Sequence, residues 1–377
     1  MERARFLSLD VFRGMTLCLM IIVNTPGAGA LPYPILDHAE WFGFTLADIV
    51  FPSFLFVVGN AMAFGAGTKT TEAEFWRKTV RRTAIILGLG LLTYWFPFFR
   101  LTDHGWVYKP FSETRFLGVL QRIAFCYFIT AAAARTLGVK GLLALSVALL
   151  LGYWGILLAG APDAATAFSK SGNIGNTVDL AVIGRAHMYR GDAGFEPEGL
   201  LGTLPATVNV ILGYLAGLTI RRAGANAQTA TRFLAAGVAL ILAALLWSTI
   251  FPIGKKLWTS SFVLLTVGID LAVLAGLMAW IDVAGRKFGV RFFEIFGRNP
   301  ILLYWVAMLL EMGMGYVRLN GQTDQSGGVG LWSWFGRHVM QPLAPGPLGS
   351  LLTALLYMLL CWLVALWLYR RKVLVRI

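Results

Sequence analysis

The chain has 377 residues, of which 57% are hydrophobic and only 14% charged, and its mean hydropathy is +0.69. A water-soluble domain carries about 25% charged residues, so this composition excludes one and points to a polypeptide almost filled by apolar spans of roughly 20 residues. The formal charge of +13 raises nucleic acid as a partner, but the cations are distributed as membrane topology and lipid contact require, which excludes that reading.

The first apolar run, Val11–Val23, has no Ala-x-Ala cleavage signature and leads directly into Asn24, so it reads as a retained helix rather than a removed signal. Hydropathy predicts spans at approximately 9–24, 44–66, 83–99, 115–137, 141–160, 199–220, 232–252, 257–281, 292–316 and 350–369. Loops on the side of the N-terminus then hold 20 of the 32 Lys and Arg residues, the opposite loops and span ends hold 10, and Arg13 and Arg122 make up the rest. The positive-inside rule turns this into an all-α polytopic transmembrane bundle of about ten spans. Both termini are expected in the cytoplasm, with a single domain over residues 1–377. The four histidines, His38, His104, His187 and His338, all fall on the non-cytoplasmic side.

Residues 36–56 carry the densest chemistry. A titratable cluster (Asp37, His38, Glu40) runs into an apolar segment with Asp48 near its start and Pro52 one turn later. Pro52 cannot donate to the carbonyl of residue 48, so a kink and a freed acceptor are expected there. Further on, Ala161–Glu198 is the longest connection and shows no helical apolar stripe; loops of that length often cover sites. Gly213 and Gly217 form a GxxxG pair that close helix packing explains. In the last external loop, Arg318–Gly349, Gly327, Gly328 and Gly330 precede the patch Trp332–Phe335, which reads as a helix at the membrane interface. Cys18, Cys126 and Cys361 have neither the number nor the spacing of a disulfide framework or a metal site.

Ionisable residues deep in spans are costly and few: Arg13, Asp48, Arg122, Asp270 and Glu311. Structural ion pairing accounts for Asp270 and Glu311 more readily than function does, and for Asp48 and Arg122 about as readily. His38 carries more weight, because imidazole moves protons near neutral pH and Asp37, Glu40, Trp41 and Asp48 surround it in sequence. The turn from Asn24 to Pro34 brings Asn24 toward the same place, with an amide able to donate to a developing oxyanion. There is no zinc pattern, Gly-x-Ser-x-Gly elbow, Walker loop or Gly-rich dinucleotide fingerprint. The segments Gly118–Ala124, Leu257–Val263 and Phe296–Ile301 place polar residues at helix ends, and serve equally as pore lining or as helix caps.

Several motifs occur in one order: Ser8-Leu-Asp-Val-Phe-Arg-Gly14, Val23-Asn24, His38-Ala-Glu-Trp-Phe-Gly43, Ala47-Asp-Ile-Val-Phe-Pro52, Gly118-Val-Leu-Gln-Arg-Ile123, Glu196 to Thr203, Lys256-Leu-Trp-Thr-Ser-Ser-Phe262 and Gly297-Arg-Asn-Pro-Ile-Leu-Leu-Tyr304. In this the chain resembles the heparan-α-glucosaminide N-acetyltransferase family over nearly its whole length. It lacks the large luminal N-terminal domain of the lysosomal member, and so is similar to the bacterial, NagX-type branch. The resemblance implies an acetyl-CoA-dependent transferase in a bacterial cytoplasmic membrane, moving acetyl from cytoplasmic acetyl-CoA to the amine of a glucosamine-like sugar on the far side. The family's active-site histidine falls on His38 and its neighbouring asparagine on Asn24. Asp48 is expected to fix the imidazole tautomer, and an acetyl-His38 intermediate is the rival to direct transfer. The coenzyme's phosphates are expected to meet Arg82 with Arg81, Arg298, Asn299 and Lys287. Arg122 is expected to face the pantetheine channel or to pair with Asp48. No metal is implied; lipids are the remaining partners, and a homodimer is left open. The competing class is a proton-coupled sugar permease, since a His, Asp, Arg and Glu set inside a membrane also serves as a proton relay.

Overall fold

The computed structural model describes residues 6–65, 71–102, 105–192, 194–319 and 329–374. His104, Gly327 and Gly328, together with the loop cations Arg3, Arg5, Lys69 and Arg376, lie outside the described residues. Twelve helices carry the architecture among the described residues: α1 (Leu7–Asn24), α2 (Leu46–Gly65), α3 (Glu72–Trp95), α4 (Val119–Thr136), α5 (Val139–Ala159), α6 (Ile174–Ile183), α7 (Thr203–Ala223), α8 (Ala227–Trp247), α9 (Ser260–Leu277), α10 (Val290–Gly297), α11 (Pro300–Tyr316) and α12 (Pro347–Arg370). Among the described residues strand is confined to two short antiparallel pairs, β1 (Phe99–Thr102) with β2 (Gly105–Tyr108), and β3 (Arg318–Leu319) with β4 (Val329–Gly330).

Among the described residues seven helices are long and apolar enough to cross a membrane, and an eighth span results if α10 and α11 are one broken crossing. The expected spans at 83–99 and 115–137 are present as α3 and α4, but both mix polar residues into their length and fall short on hydropathy. α3 also starts well before position 83, because Thr71 caps it by accepting from Glu74 N–H at 3.3 Å. The expected single span 292–316 is bent by 84° between α10 and α11. Pro300 supplies the reason: it offers no N–H and pushes the residue before it out of helical geometry, and Asn299 has φ −133° and ψ 54°. Pro52, by contrast, sits inside a helix assigned as continuous over Leu46–Gly65.

Backbone-to-backbone packing sets the interior. α2 lies along α7, α9 along α8, and α1 along α10. A Cβ on Gly59 would come within 2.0 Å of the Val210 carbonyl oxygen, and one on Gly213 within 2.1 Å of that of Phe56, so α2 and α7 touch through their main chains. Gly217 meets Asn60 in the same seam, which is the role the GxxxG pair predicts. Gly14 against Phe293 and Gly297 against Asp10 join α1 to α10 in the same way.

The connection 160–202 departs from the expectation of an unstructured loop. It contains α6, capped by Asn173, whose Oδ1 accepts from Asn176 N–H at 3.0 Å, and ended by Gly184 at φ 73°. Trp332–Phe335 falls in a short helical turn, Leu331–Phe335, with Trp332 edge-on to Tyr357 of α12 at 5.3 Å. All three cysteines are buried and unpaired with one another.

Candidate functional site

At the N-terminus of α2, Thr45-Leu-Ala-Asp48 has the spacing of a capping box, in which the residue three positions on reaches back to the start of the helix. Asp48 Oδ2 accepts from Thr45 N–H at 3.0 Å, Thr45 Oγ1 at 3.1 Å and Ala39 N–H at 3.3 Å. Its other oxygen, Oδ1, stands 3.0 Å from His38 Nδ1, and the carboxylate is 0% exposed. An ionised carboxylate only accepts, so His38 carries its proton on Nδ1 and presents the Nε2 lone pair. Asp37 Oδ1 accepts from His38 N–H at 2.8 Å, which fixes the main chain of the histidine. The ring itself is 38% exposed.

A third group completes the cluster. Lys255 Nζ is 3.2 Å from His38 Nε2, 3.0 Å from Nδ1 and 3.6 Å from Asp48 Oδ1. Its loop is held tightly: Gly254 N–H donates to Thr259 Oγ1 at 3.0 Å, Trp258 N–H to the Lys255 carbonyl at 3.0 Å, and Gly43 N–H to the Ile253 carbonyl at 2.9 Å. Trp41 donates from Nε1 to the Phe168 carbonyl at 2.8 Å and meets Phe195 edge-on at 5.0 Å, so the histidine loop is clamped to the connection 160–202 as well as to the loop at 253. Burial drives the Lys255 ammonium below its usual value, against the opposing pull of Asp48 and Glu198.

Behind Lys255 lies a charged wall. Arg115 pairs with Glu196 and Glu198, and its guanidinium lies over the Tyr189 ring at 4.6 Å. Burial works to raise Glu198, but Arg115, Arg122 and Lys255 outweigh it and hold the carboxyl below the usual range. Arg122 is 1% exposed, donates to the Gly199 carbonyl at 3.0 Å, and lies over Trp258 at 4.8 Å. Asp179, also buried, accepts from Leu200 N–H at 2.8 Å, and desolvation pushes its carboxyl up to about 6.

A second place lies farther along α2. A cavity of about 320 Å³ is lined by Arg13, Arg82, Arg298 and Asn299 on the polar side and by Phe54, Val57, Val58 and Ala61 of α2 on the apolar side. It forms where the break before Pro300 opens the wall of the bundle. Among the described residues Nε of Arg82 and of Arg298 is buried without a hydrogen-bond partner, while their guanidinium groups lie over Tyr127 at 4.7 Å and Tyr369 at 4.3 Å and that of Arg298 also pairs with Glu294 at 3.1 Å. Asp48 and Val58 are ten residues apart on one helix, which at 1.5 Å per residue is about 15 Å.

The expected site residues therefore divide between two places. His38 and Asp48 come together. Asn24 ends α1 and is exposed, and no hydrogen bond joins it to His38 or Asp48 among the described residues. Arg82, Arg298 and Asn299 share the cavity, with Arg13 beside them, whereas Arg81 and Lys287 are exposed and do not line it. Arg122 stands with the Glu198 wall, and no ion pair joins it to Asp48. Of the other histidines, His187 stacks on Phe116 at 3.6 Å and His338 on Trp334 at 5.2 Å, in structural settings. Among the described residues no three His, Cys, Asp or Glu side chains are grouped to hold a metal. Lys255, Arg115 and Glu198 are the members that the sequence does not single out, the two cations falling only within the ten of the opposite loops and span ends.

The sequence model described as heparan-α-glucosaminide N-acetyltransferase, catalytic, matches residues 5–245. The chain belongs to this family. It is 27% identical over 357 residues to the heparan-α-glucosaminide N-acetyltransferase of Homo sapiens, covering 80% of this chain and 52% of the human protein. The protein of the same name from Mus musculus is 26% identical over 364 residues, covering 81% of this chain and 54% of the mouse protein. The chain thus spans about half the length of the curated relatives it matches. The matched segment of the N-acetyltransferase family includes His38, Asp48, Arg82, Arg122 and Glu198, and ends before Lys255.

Proposed function

We propose that the chain is a transmembrane acetyltransferase, a single unit that takes acetyl from cytoplasmic acetyl-CoA and places it on the amine of a glucosamine-like sugar on the periplasmic side of a bacterial cytoplasmic membrane. The observation that carries this reading is the pairing of two sites along one helix: an imidazole base oriented by a buried carboxylate at the start of α2, and a cavity with three arginines and an apolar wall farther down.

The residues fit the two substrates. Arg82, Arg298 and Arg13 offer guanidinium donors to coenzyme phosphates, and the apolar face of α2 offers a track for the pantetheine arm toward His38. Nε2 of His38 takes a proton from the acceptor's ammonium, and the freed amine attacks the thioester carbonyl. Asp48 keeps that nitrogen unprotonated at the start by holding the Nδ1–H. Asn24, at the same end of the bundle, is the candidate donor to the oxyanion. An acetyl-His38 intermediate would form on the same nitrogen, so both routes use one geometry.

The test is direct. Purified protein in detergent, given labelled acetyl-CoA and glucosamine, should yield labelled N-acetylglucosamine and free CoA. Glucosamine movement across vesicles without acetylation would establish a permease instead.

A further inference from the structure

The Lys255 ammonium stands beside the place that an acceptor's amine has to take. For His38 to take a proton from an amine, that nitrogen must come within hydrogen-bond distance of Nε2, the one ring atom that Asp48 leaves open. Lys255 Nζ lies beside the ring, 3.2 Å from Nε2 and 3.0 Å from Nδ1, a small swing of its flexible side chain from the Nε2 lone pair. The surroundings also suit an ammonium: Asp48 Oδ1 lies 3.6 Å away, and the charge of Glu198 also acts on Lys255. Burial weakens the hold of Nζ on its proton, which raises its neutral, nucleophilic fraction. Its neighbour Lys256 is otherwise engaged, 3.1 Å from Asp192. The side chain of Lys255 is 18% exposed, so the site is covered but not sealed.

We propose that Lys255 is an internal stand-in for the acceptor amine, and that the protein acetylates Lys255 Nζ when acetyl-CoA is present without an acceptor. This rests on the acetyl-transfer reading above. The ammonium gives one proton to His38 Nε2; the neutral amine forms a bond to the acetyl carbon; the carbon–sulfur bond breaks. The thiolate takes the proton from His38, and the second proton lost from Nζ leaves to solvent. The products are N-acetyl-lysine, CoA thiol and one proton.

Two consequences follow. A sugar amine has to displace the lysine before it can react, so acceptor and Lys255 compete for one position. Acetylation removes the cation on which Asp48 and Glu198 act and fills the position with an amide that neither base nor thioester can use, which makes the modification self-inactivating.

The experiment uses the whole purified protein with isotope-labelled acetyl-CoA and reads each lysine by peptide mass spectrometry. Label is expected on Lys255 and not on Lys256, with loss of glucosamine-acetylating activity in proportion. Excess glucosamine present from the start should suppress it, and His38→Ala should abolish it. Protein that acetylates glucosamine yet labels Lys255 no more than Lys256 overturns the proposal while leaving the acetyl-transfer reading intact. Label on Lys255 that survives His38→Ala, or that glucosamine leaves unchanged, also overturns it, because the lysine would then react by simple exposure. Failure to acetylate either glucosamine or any lysine removes the acetyl-transfer reading itself, and this proposal with it.

Discussion

His38 offers one nitrogen to chemistry because Asp48 holds the other, and the 3.0 Å contact that does so comes from a carboxylate with no exposed surface. His38→Ala should therefore abolish acetyl transfer while the protein still binds acetyl-CoA, whose charged end is assigned to the distant arginine cavity. Turnover at the wild-type rate would remove the histidine from the reaction. Arg82→Ala should raise the apparent KM for acetyl-CoA far more than that for the sugar. A hydrogen bond to a charged group is worth roughly 1.5–3 kcal/mol, or about a tenfold to hundredfold loss of affinity. Equal changes in both constants would separate Arg82 from the coenzyme. Asp179 gives a stability test. Its carboxyl rises from the usual 3.8 to about 6 in the fold, so the folded state prefers it protonated. The stability from that preference is complete below pH 3.8 and lost as pH rises through about 6. Asp179→Asn, which keeps an acceptor for Leu200 N–H, should match the wild type at low pH and melt higher above pH 6. A shift of this size is worth on the order of 3 kcal/mol, and a melting difference independent of pH would contradict it.

At the scale of elements, the contact between α2 and α7 matters most, because α2 carries both Asp48 and the apolar wall of the cavity. Gly213→Ala places a methyl 2.1 Å from the Phe56 carbonyl oxygen, a main-chain atom that cannot turn aside. Overpacking of this kind costs typically about 1–3 kcal/mol. The variant should melt lower in detergent and lose activity together with stability; unchanged melting would mean that the two backbones are not in contact. This seam was legible in the sequence as a GxxxG pair, because that is a pattern of nearby residues. The bend at Asn299 was in principle legible too, from Pro300, yet apolar length suggested one uninterrupted span. α6 was missed because only ten residues separate its Asn cap from its glycine stop, too few for a clear apolar period. Lys255 was not legible at all. Its partner His38 is 217 positions away, and only the docking of the loops at 43 and 253 brings the two together.

On the scale of the whole molecule, the two sites stand apart along a membrane-crossing helix, which is the layout that transfer between two compartments demands. The topology proposed from the excess of cations in the loops on the side of the N-terminus would put the arginine cavity nearer the cytoplasm and the histidine cluster away from it. Chemistry on one side alone would need no such separation. The direct measurement is acetylation by the protein reconstituted in sealed vesicles, with acetyl-CoA confined to one compartment and glucosamine to the other. Labelled N-acetylglucosamine should form in the glucosamine compartment while CoA stays in that of the donor. Product that appears only when both substrates share a compartment would contradict transfer across the membrane.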